Sequence, residues 1–457
     1  MKPFRKIIQL ELNELSIDII RALCAAGELP NFNHLLTNWH HRTTTSEDKY
    51  ELIEPWIQWV TAHTGKAFAD HQVFRLGDLT NLRYPQTWEI LSNQGLRCCV
   101  IGSMNARRGS MSKGFFLPDP WGSEEDVYPT HLKALWKFIR SNVQEHNQKL
   151  TVLRYAKALE SIVRQQLPLP FLLKLAYHVI AKKMKIEPGW KLASLFDEFL
   201  FALFKKQLKK DHSYYTLFLN SIAHYQHHYW RNHHPGIFSN QIQSPAISNN
   251  DDPVRYGYRV YDRLLGEVVQ LADQDTLVIV ISGLSQVPYV AKEEQGGLCY
   301  YRLLNHTAFL DATEINYQAV KPLMSRDWLV YFENEADAEH CSSILENLTV
   351  DDEPLLNVNR HASNAIFVET RFAAPVDQEA CIRDPIRGIT IKFGDYFMLT
   401  AIKSGHHHGE GLFFSSAEVF PNEKSTHVPL SRVHDLTVDN FLKKAVSSEK
   451  PLTLEES

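Results

Sequence analysis

Long uncharged apolar runs, disulfide-like cysteine spacing and an excess of positive charge are all missing from this 457-residue chain. No run of about 18 uncharged apolar residues occurs, so no segment reads as a membrane-spanning helix. The opening MKPFRKIIQLEL passes from basic residues into an apolar stretch that Glu11 interrupts, too short for the apolar region of a signal peptide. Six cysteines, with Cys98 and Cys99 adjacent, show neither zinc-ribbon nor disulfide-framework spacing and fit small buried hydrophobes in a reducing compartment. A formal charge of −5 provides no general attraction for nucleic acid, so no nucleic-acid partner is expected. A cytoplasmic location is the expectation. Internal repeats and low-complexity segments are also missing, while 44% apolar and 11% aromatic residues suit a large folded core and argue against disorder. The length suggests two or three domains, or one large domain with insertions.

What the chain does have is histidine, 22 residues of it. GHHHGEG at 405–411 and SIAHYQHHYW at 221–230 lie far apart and can share a site only after folding. Imidazole is a common neutral metal ligand and the side chain best matched to proton transfer near neutral pH, so a glycine-bounded triple histidine reads either as a ligand loop or as a solvated polar turn.

Residues 7–12 read as a buried strand leading to a helix over 16–26 that ends at Gly27. LRCCVIG (96–102) and TLVIVIS (276–282) read as further strands of the near-continuous apolar kind found in parallel sheets covered on both faces. Ligands of such sheets bind beyond the carboxyl ends of the strands, where Asn13, Ser103 and Gly283 lie. The expected class is therefore α/β. Residues 131–212 form a lysine-rich helical insertion, 312–400 a small α+β insertion, and 446–457 a loose tail, leaving 1–130, 213–311 and 401–445 for the core. Within the first insertion, SLFDEFLFALFKKQLKK (194–210) reads either as an interfacial helix making peripheral membrane contact or as a helix packed on the core with a solvated lysine face.

Five segments occur in a telling order: LELNELSIDII leading to LPNFNHLL, EPWIQWVTAHTGKAFADHQV, SIAHYQHHYW, TLVIVISGLSQ and SGHHHGEG. Together they resemble the alkaline phosphatase superfamily, most of all its type I phosphodiesterase and nucleotide pyrophosphatase branch. The resemblance implies a three-layer α/β/α core with a mostly parallel sheet. It also implies two divalent metals that activate a Thr or Ser nucleophile and stabilise phosphoryl charge. Laid on this chain, the first metal-binding Asp falls at Asn13 and the nucleophile at Pro55 or, with a one-residue slip, Glu54. Ala223 stands for a further Asp while His227 keeps its His, Gly283 and Leu284 stand for an Asp-His pair, and His407 keeps the last ligand. Neither Gly283 nor Leu284 offers a side-chain ligand, so a two-metal centre is not expected. In the family the two surviving histidines serve one metal, which implies at most one divalent ion, zinc or manganese, at His227 and His407 with Glu54 as a candidate third group.

The candidate catalytic residues are thus Glu54, His63 and Gln58, and the candidate ligand-binding residues Asn13, Gln286 and His224. Glu54 reads as a nucleophile, a general base or a metal ligand, or alternatively as an N-cap before Pro55. His224, like His228, His233 and His234, also reads as a solvated helix face. Two functions follow from the resemblance. One is a phosphodiesterase- or phosphatase-like hydrolase or phosphoryl transferase with an altered one-metal or metal-free site, acting on a phosphorylated metabolite, nucleotide-sugar or lipid-linked precursor. The other is a non-catalytic pseudoenzyme that binds a phosphorylated ligand or a protein partner.

Overall fold

The computed structural model describes residues 3–79, 82–144, 160, 162, 164–165, 167–184, 189–238, 247–248, 250–323, 326–377, 379–421 and 425–448. Its central sheet has eight strands, in the order His427–Pro429, β2 (His40–Thr45), Glu410–Ser415, β6 (Thr276–Ser282), β1 (Lys6–Leu12), β5 (Tyr214–Leu219), β3 (Cys98–Ile101) and β4 (Gly114–Leu117). Every neighbouring pair is parallel except the two made by Glu410–Ser415, which runs antiparallel to β2 and β6. The three apolar runs read as buried parallel strands are β1, β3 and β6.

Strand alternation sorts the side chains into two cores. Ile8, Leu10, Leu12, Val278 and Val280 pack with α1 (Ile17–Ala25), α2 (Pro30–Asn38) and the helices Lys191–Leu208, Ser221–His233 and Pro253–Leu271. Ile7, Leu277, Ile279 and Ile281 face the other way, towards α3 (Pro55–Thr64) and the helices Thr87–Asn93 and Arg432–Ser448. Each such Leu or Ile contributes about 1.5–3 kcal/mol on burial, which makes this double-faced sheet the rigid platform of the molecule. The result is the expected three-layer α/β/α arrangement.

The segment 194–210 differs from its membrane-facing reading. It lies in the helix Lys191–Leu208, whose Phe199, Phe201 and Phe204 are buried in the sheet's core while Lys205 pairs with Glu267 at 2.6 Å. Its apolar face is spent on packing, as the alternative reading required. The α+β unit has its own hydrophobic core around an antiparallel sheet of Ala319–Pro322, Asp327–Tyr331, Leu356–Ala362 and Ala365–Thr370. That core includes Tyr301, Leu303 and Phe309, and Cys299–Leu303 pairs with Phe397–Ile402. Of the expected tail, residues from 449 onward lie outside the described residues, as does 145–159 in the helical insertion, while the helix Arg432–Ser448 covers 446–448.

Candidate functional site

β1 ends at Leu12, and the chain turns sharply through Asn13 and Glu14 into α1. Glu14 has a φ of +61°, the left-handed conformation that glycine adopts freely and a glutamate adopts at a cost of about 1 kcal/mol or more. Strain of this kind persists only where the surroundings over-determine it, and here they do. Asn13 Nδ2 donates to Glu14 Oε1 at 2.9 Å, Gln226 Nε2 to the Glu14 carbonyl at 2.6 Å, and Gln286 Nε2 to Glu14 Oε2. Asn13 is itself fixed by Trp59 Nε1 at 2.8 Å, and Gln226 by Tyr258 at 2.9 Å. The carboxylate is buried, with 2% of its side chain exposed.

Two histidines meet that carboxylate. His227 comes from the helix Ser221–His233 and His407 from the strand Gly405–His408, which pairs antiparallel with Ser285–Pro288 so that His407 lies opposite Gln286. The strand presses tightly on the helix. A Cβ on Gly405 would come within 2.4 Å of Gln286 Oε1 and 2.7 Å of the Gln226 carbonyl, so only glycine fits there. Next to it, the Ser404 hydroxyl accepts from Trp230 N at 3.1 Å and reaches the His227 carbonyl at 3.1 Å. Insertion of that hydroxyl into the helical ladder accounts for the break at Tyr229, whose φ is −131°.

His227 Nε2 lies 3.2 Å from Glu14 Oε2, His407 Nε2 lies 3.6 Å from the same oxygen, and the two ring nitrogens are 3.3 Å apart. Ligand atoms bound to one tetrahedral zinc at about 2.0–2.1 Å are separated by about 3.3 Å, so this donor set has the spacing and the chemistry of a site for a single small divalent ion. Among the described residues it is the one group of three His, Cys, Asp or Glu side chains gathered so closely. On the far side of His407, Nδ1 is 3.4 Å from Glu54 Oε2, the arrangement in which a carboxylate orients a metal-binding imidazole.

The charges support one another. Burial alone would raise the pKa of Glu14, but His407 and His227 hold it well below the usual carboxylate range. Burial likewise opposes charge on His407, yet Glu14 and then Glu54 raise it above the ordinary imidazole value. Glu54 is pushed up to about 7, chiefly by burial, with His407 opposing and Glu14 adding to the rise. Lys403 also draws Glu54 down while resting 4.7 Å above the Tyr289 ring.

Of the residues singled out from sequence, His227, His407, Glu54, Asn13 and Gln286 come together. Asn13 and Gln286 hold Glu14 rather than opening onto solvent. Glu54 touches His407 and is not one of the three clustered ligand atoms, so the third group beside the histidines is Glu14. Glu54 does stand at the N-cap position of α3, its carbonyl accepting from Ile57 N at 2.9 Å and Gln58 N at 3.0 Å, but its side chain makes no cap hydrogen bond. Gln58 is fully buried and donates to the Leu52 carbonyl at 2.8 Å, bracing the turn before α3. His63 is sealed in the core, 3.0 Å from Glu11 Oε1. His224 is exposed, its ring 4.6 Å from that of His228. Leu284, where the family pattern puts a ligand, is fully buried.

The residue missed from sequence is Glu14. Its signal was present in LELNELS, as an acid in the position after the expected Asp, where the family pattern has Gly.

No protein-family model and no curated protein matches the chain. Several solved structures are similar to it along most of its length. A phosphonoacetate hydrolase from Sinorhizobium meliloti 1021, in complex with phosphonoformate, is 14% identical over 96% of both chains with a TM-score of 0.44. Murine ectonucleotide pyrophosphatase/phosphodiesterase 5 is 10% identical over 94% of this chain and 93% of its own, with a TM-score of 0.39. A TAB5 alkaline phosphatase mutant with Mg bound is 10% identical over 96% of this chain and 98% of its own, with a TM-score of 0.41. These names fall in the superfamily that the sequence motifs resemble. Likeness at this level carries no argument about chemistry, which rests on the residues themselves.

Proposed function

We propose that the protein is a hydrolase of phosphoric esters, or a phosphoryl transferase, with a one-metal site at Glu14, His227 and His407. The observation that carries this reading is the near-equilateral spacing of the three donor atoms around a strained, buried glutamate. Zinc suits two imidazoles and a carboxylate best, with manganese the alternative. Such an ion, when bound, supplies a Lewis acid that polarises a phosphoryl oxygen.

The remaining work falls to the chain's own groups. Residues 54–57 read Glu-Pro-Trp-Ile, so no hydroxyl or thiol stands at the start of α3 to attack phosphorus, and water takes that part. Glu54, with its pKa near 7, accepts the proton of that water at neutral pH. Its contact with His407 Nδ1 fixes the imidazole orientation, and Lys403 offers positive charge to the phosphoryl oxygens. The substrate class is a phosphorylated metabolite, nucleotide-sugar or lipid-linked precursor. A second reading, a non-catalytic binder of a phosphorylated ligand, is favoured by the same missing hydroxyl at α3.

Metal analysis of the purified protein, joined to hydrolysis assays on bis(p-nitrophenyl) phosphate and p-nitrophenyl phosphate, separates the two. The enzyme reading expects about one equivalent of zinc or manganese and turnover that chelation abolishes. A metal-free, inactive parent protein that still binds phosphorylated ligands would place it among the pseudoenzymes.

A further inference from the structure

A cavity lined by basic side chains lies at the other end of the sheet. Its volume is about 380 Å³, and among the described residues its charged and titratable lining consists of Arg97, His131, Arg164, Lys206, Lys210 and His212, with no carboxylate. Arg97 directly precedes β3, Gly114 opens β4, and His212 lies two residues before β5, so the cavity sits at the N-terminal ends of three parallel strands. Glu14 and its histidines lie beyond the opposite ends. At about 3.3 Å per residue, the length of β5 alone separates the two ends by about 20 Å.

The cations are held there against their own repulsion. Burial and the neighbouring Lys210 lower the pKa of Lys206, whose ammonium donates to the Gln165 carbonyl at 2.5 Å. Burial together with Arg97 pushes His212 down to about 4. Two acids lie nearby, and neither enters the cavity lining: Glu160 pairs with Arg164 at 2.6 Å, and Asp211 is 93% exposed, 4.0 Å from Arg5. Among the described residues Arg97, Lys206 and Lys210 form no ion pair. A ligand-sized cavity with several cations and no compensating anion is completed by a ligand that brings negative charge, and guanidinium and ammonium groups together suit phosphate.

We propose that this cavity binds a phosphate-bearing ligand, independently of the Glu14 site. The phosphate comes either from a soluble polyphosphate or from a lipid headgroup. The second source has a structural motive. The helix Leu169–Lys183 begins four residues after Gln165 of the cavity lining and exposes Leu169, Leu173, Tyr177 and Ile180 along one face, with Met184 continuing the row.

The test measures binding of inorganic tripolyphosphate by calorimetry, and sedimentation with phosphatidylcholine vesicles with and without phosphatidic acid. It uses the full chain, Lys206→Gln/Lys210→Gln and the exposed single variant Arg164→Gln. We expect the parent to bind one or both probes. The double variant should lose at least about tenfold in affinity per cation removed, with Arg164→Gln weaker in the same direction. The loss caused by the double variant should be the same in a Glu14→Gln background, which separates this site from the proposed catalytic one. Competition by tripolyphosphate alone, without vesicle binding, assigns a soluble ligand; vesicle binding that needs phosphatidic acid and is lost in Leu173→Gln/Ile180→Gln assigns a lipid. If the parent binds neither probe, or if both basic-site variants bind as the parent does, the proposal is overturned.

Discussion

Two glutamates three residues apart, Glu11 and Glu14, each meet histidine in a buried setting, and they lead to opposite conclusions. Glu11 points to the α3 face of β1. Its Oε1 accepts from Gln9 at 3.0 Å, His63 at 3.0 Å and Thr216 at 2.8 Å, and its Oε2 from Ser103 at 2.8 Å. His63 is closed in between Trp59 and Trp88, with ring centroids at 6.0 and 4.9 Å. Nothing in this cluster reaches solvent, and its histidine supplies a structural hydrogen bond. Glu14 is as deeply buried, but its histidines lead outward: 32% of the His227 side chain and 12% of the His407 side chain are exposed. The same pair of residue types is structural when every donor converges on one oxygen pair, and available for chemistry when the imidazoles face an opening.

The comparison breaks most readily at Glu11. Glu11→Leu removes the acceptor for four buried donors and leaves His63 unpaired, so it should cost about 3–5 kcal/mol, read as a lowered urea midpoint. Glu14→Gln keeps the shape but loses the carboxylate's pairing with His227 and His407, so it should lower the midpoint less than Glu11→Leu does and cost at least about 100-fold in metal affinity and in any phosphoesterase activity. An equal loss of stability in both variants would erase the distinction.

Much of this layout is legible in sequence. The apolar runs of β1 and β6 follow from periodicity, and the convergence of the two histidine groups is what the family resemblance implies. The site's third ligand follows from neither, because a left-handed glutamate at position 14 is set by tertiary contacts from Asn13, Gln226 and Gln286 that no local pattern announces. His63 was misleading for a related reason. Its helix register places it on the face of α3 that meets Glu11, and strand alternation puts Glu11 on the far side of β1 from Leu10 and Leu12. The basic cavity escaped because Arg97 and Arg164 lie far in sequence from the lysine run that carries Lys206 and Lys210.

Proton linkage sharpens the contrast. In metal-free protein the depressed Glu14 contributes stability that is present above its unfolded value of 4.5 and lost as the pH falls towards its folded value. The raised His407 contributes stability that is complete below 6.5 and lost as the pH climbs through its folded value. Chelated protein should therefore owe most to this pair between 4.5 and 6.5, and metal should bind about tenfold more weakly per pH unit below the His407 pKa, with one proton released on binding. Glu54→Gln should lower kcat/KM by about 100-fold and remove the limb of the pH profile near 7. An unchanged limb would assign that ionisation elsewhere.

The smallest effect should come from His224→Ala. His224 lies three residues before His227 on the same helix, yet it is exposed and its ring meets His228 rather than the carboxylate. Exposed substitutions of this kind stay within about 0.5 kcal/mol. Metal content, affinity for phosphorylated ligands and turnover should all match the parent within about twofold, since 1.4 kcal/mol is needed for a tenfold change. A larger loss would mean that the helix presents two histidines to the ligand instead of one. The opening around His227 would then have to be wider than the cluster of Glu14, His227 and His407 requires, and the boundary between the structural and the chemical histidines would move one turn along the helix.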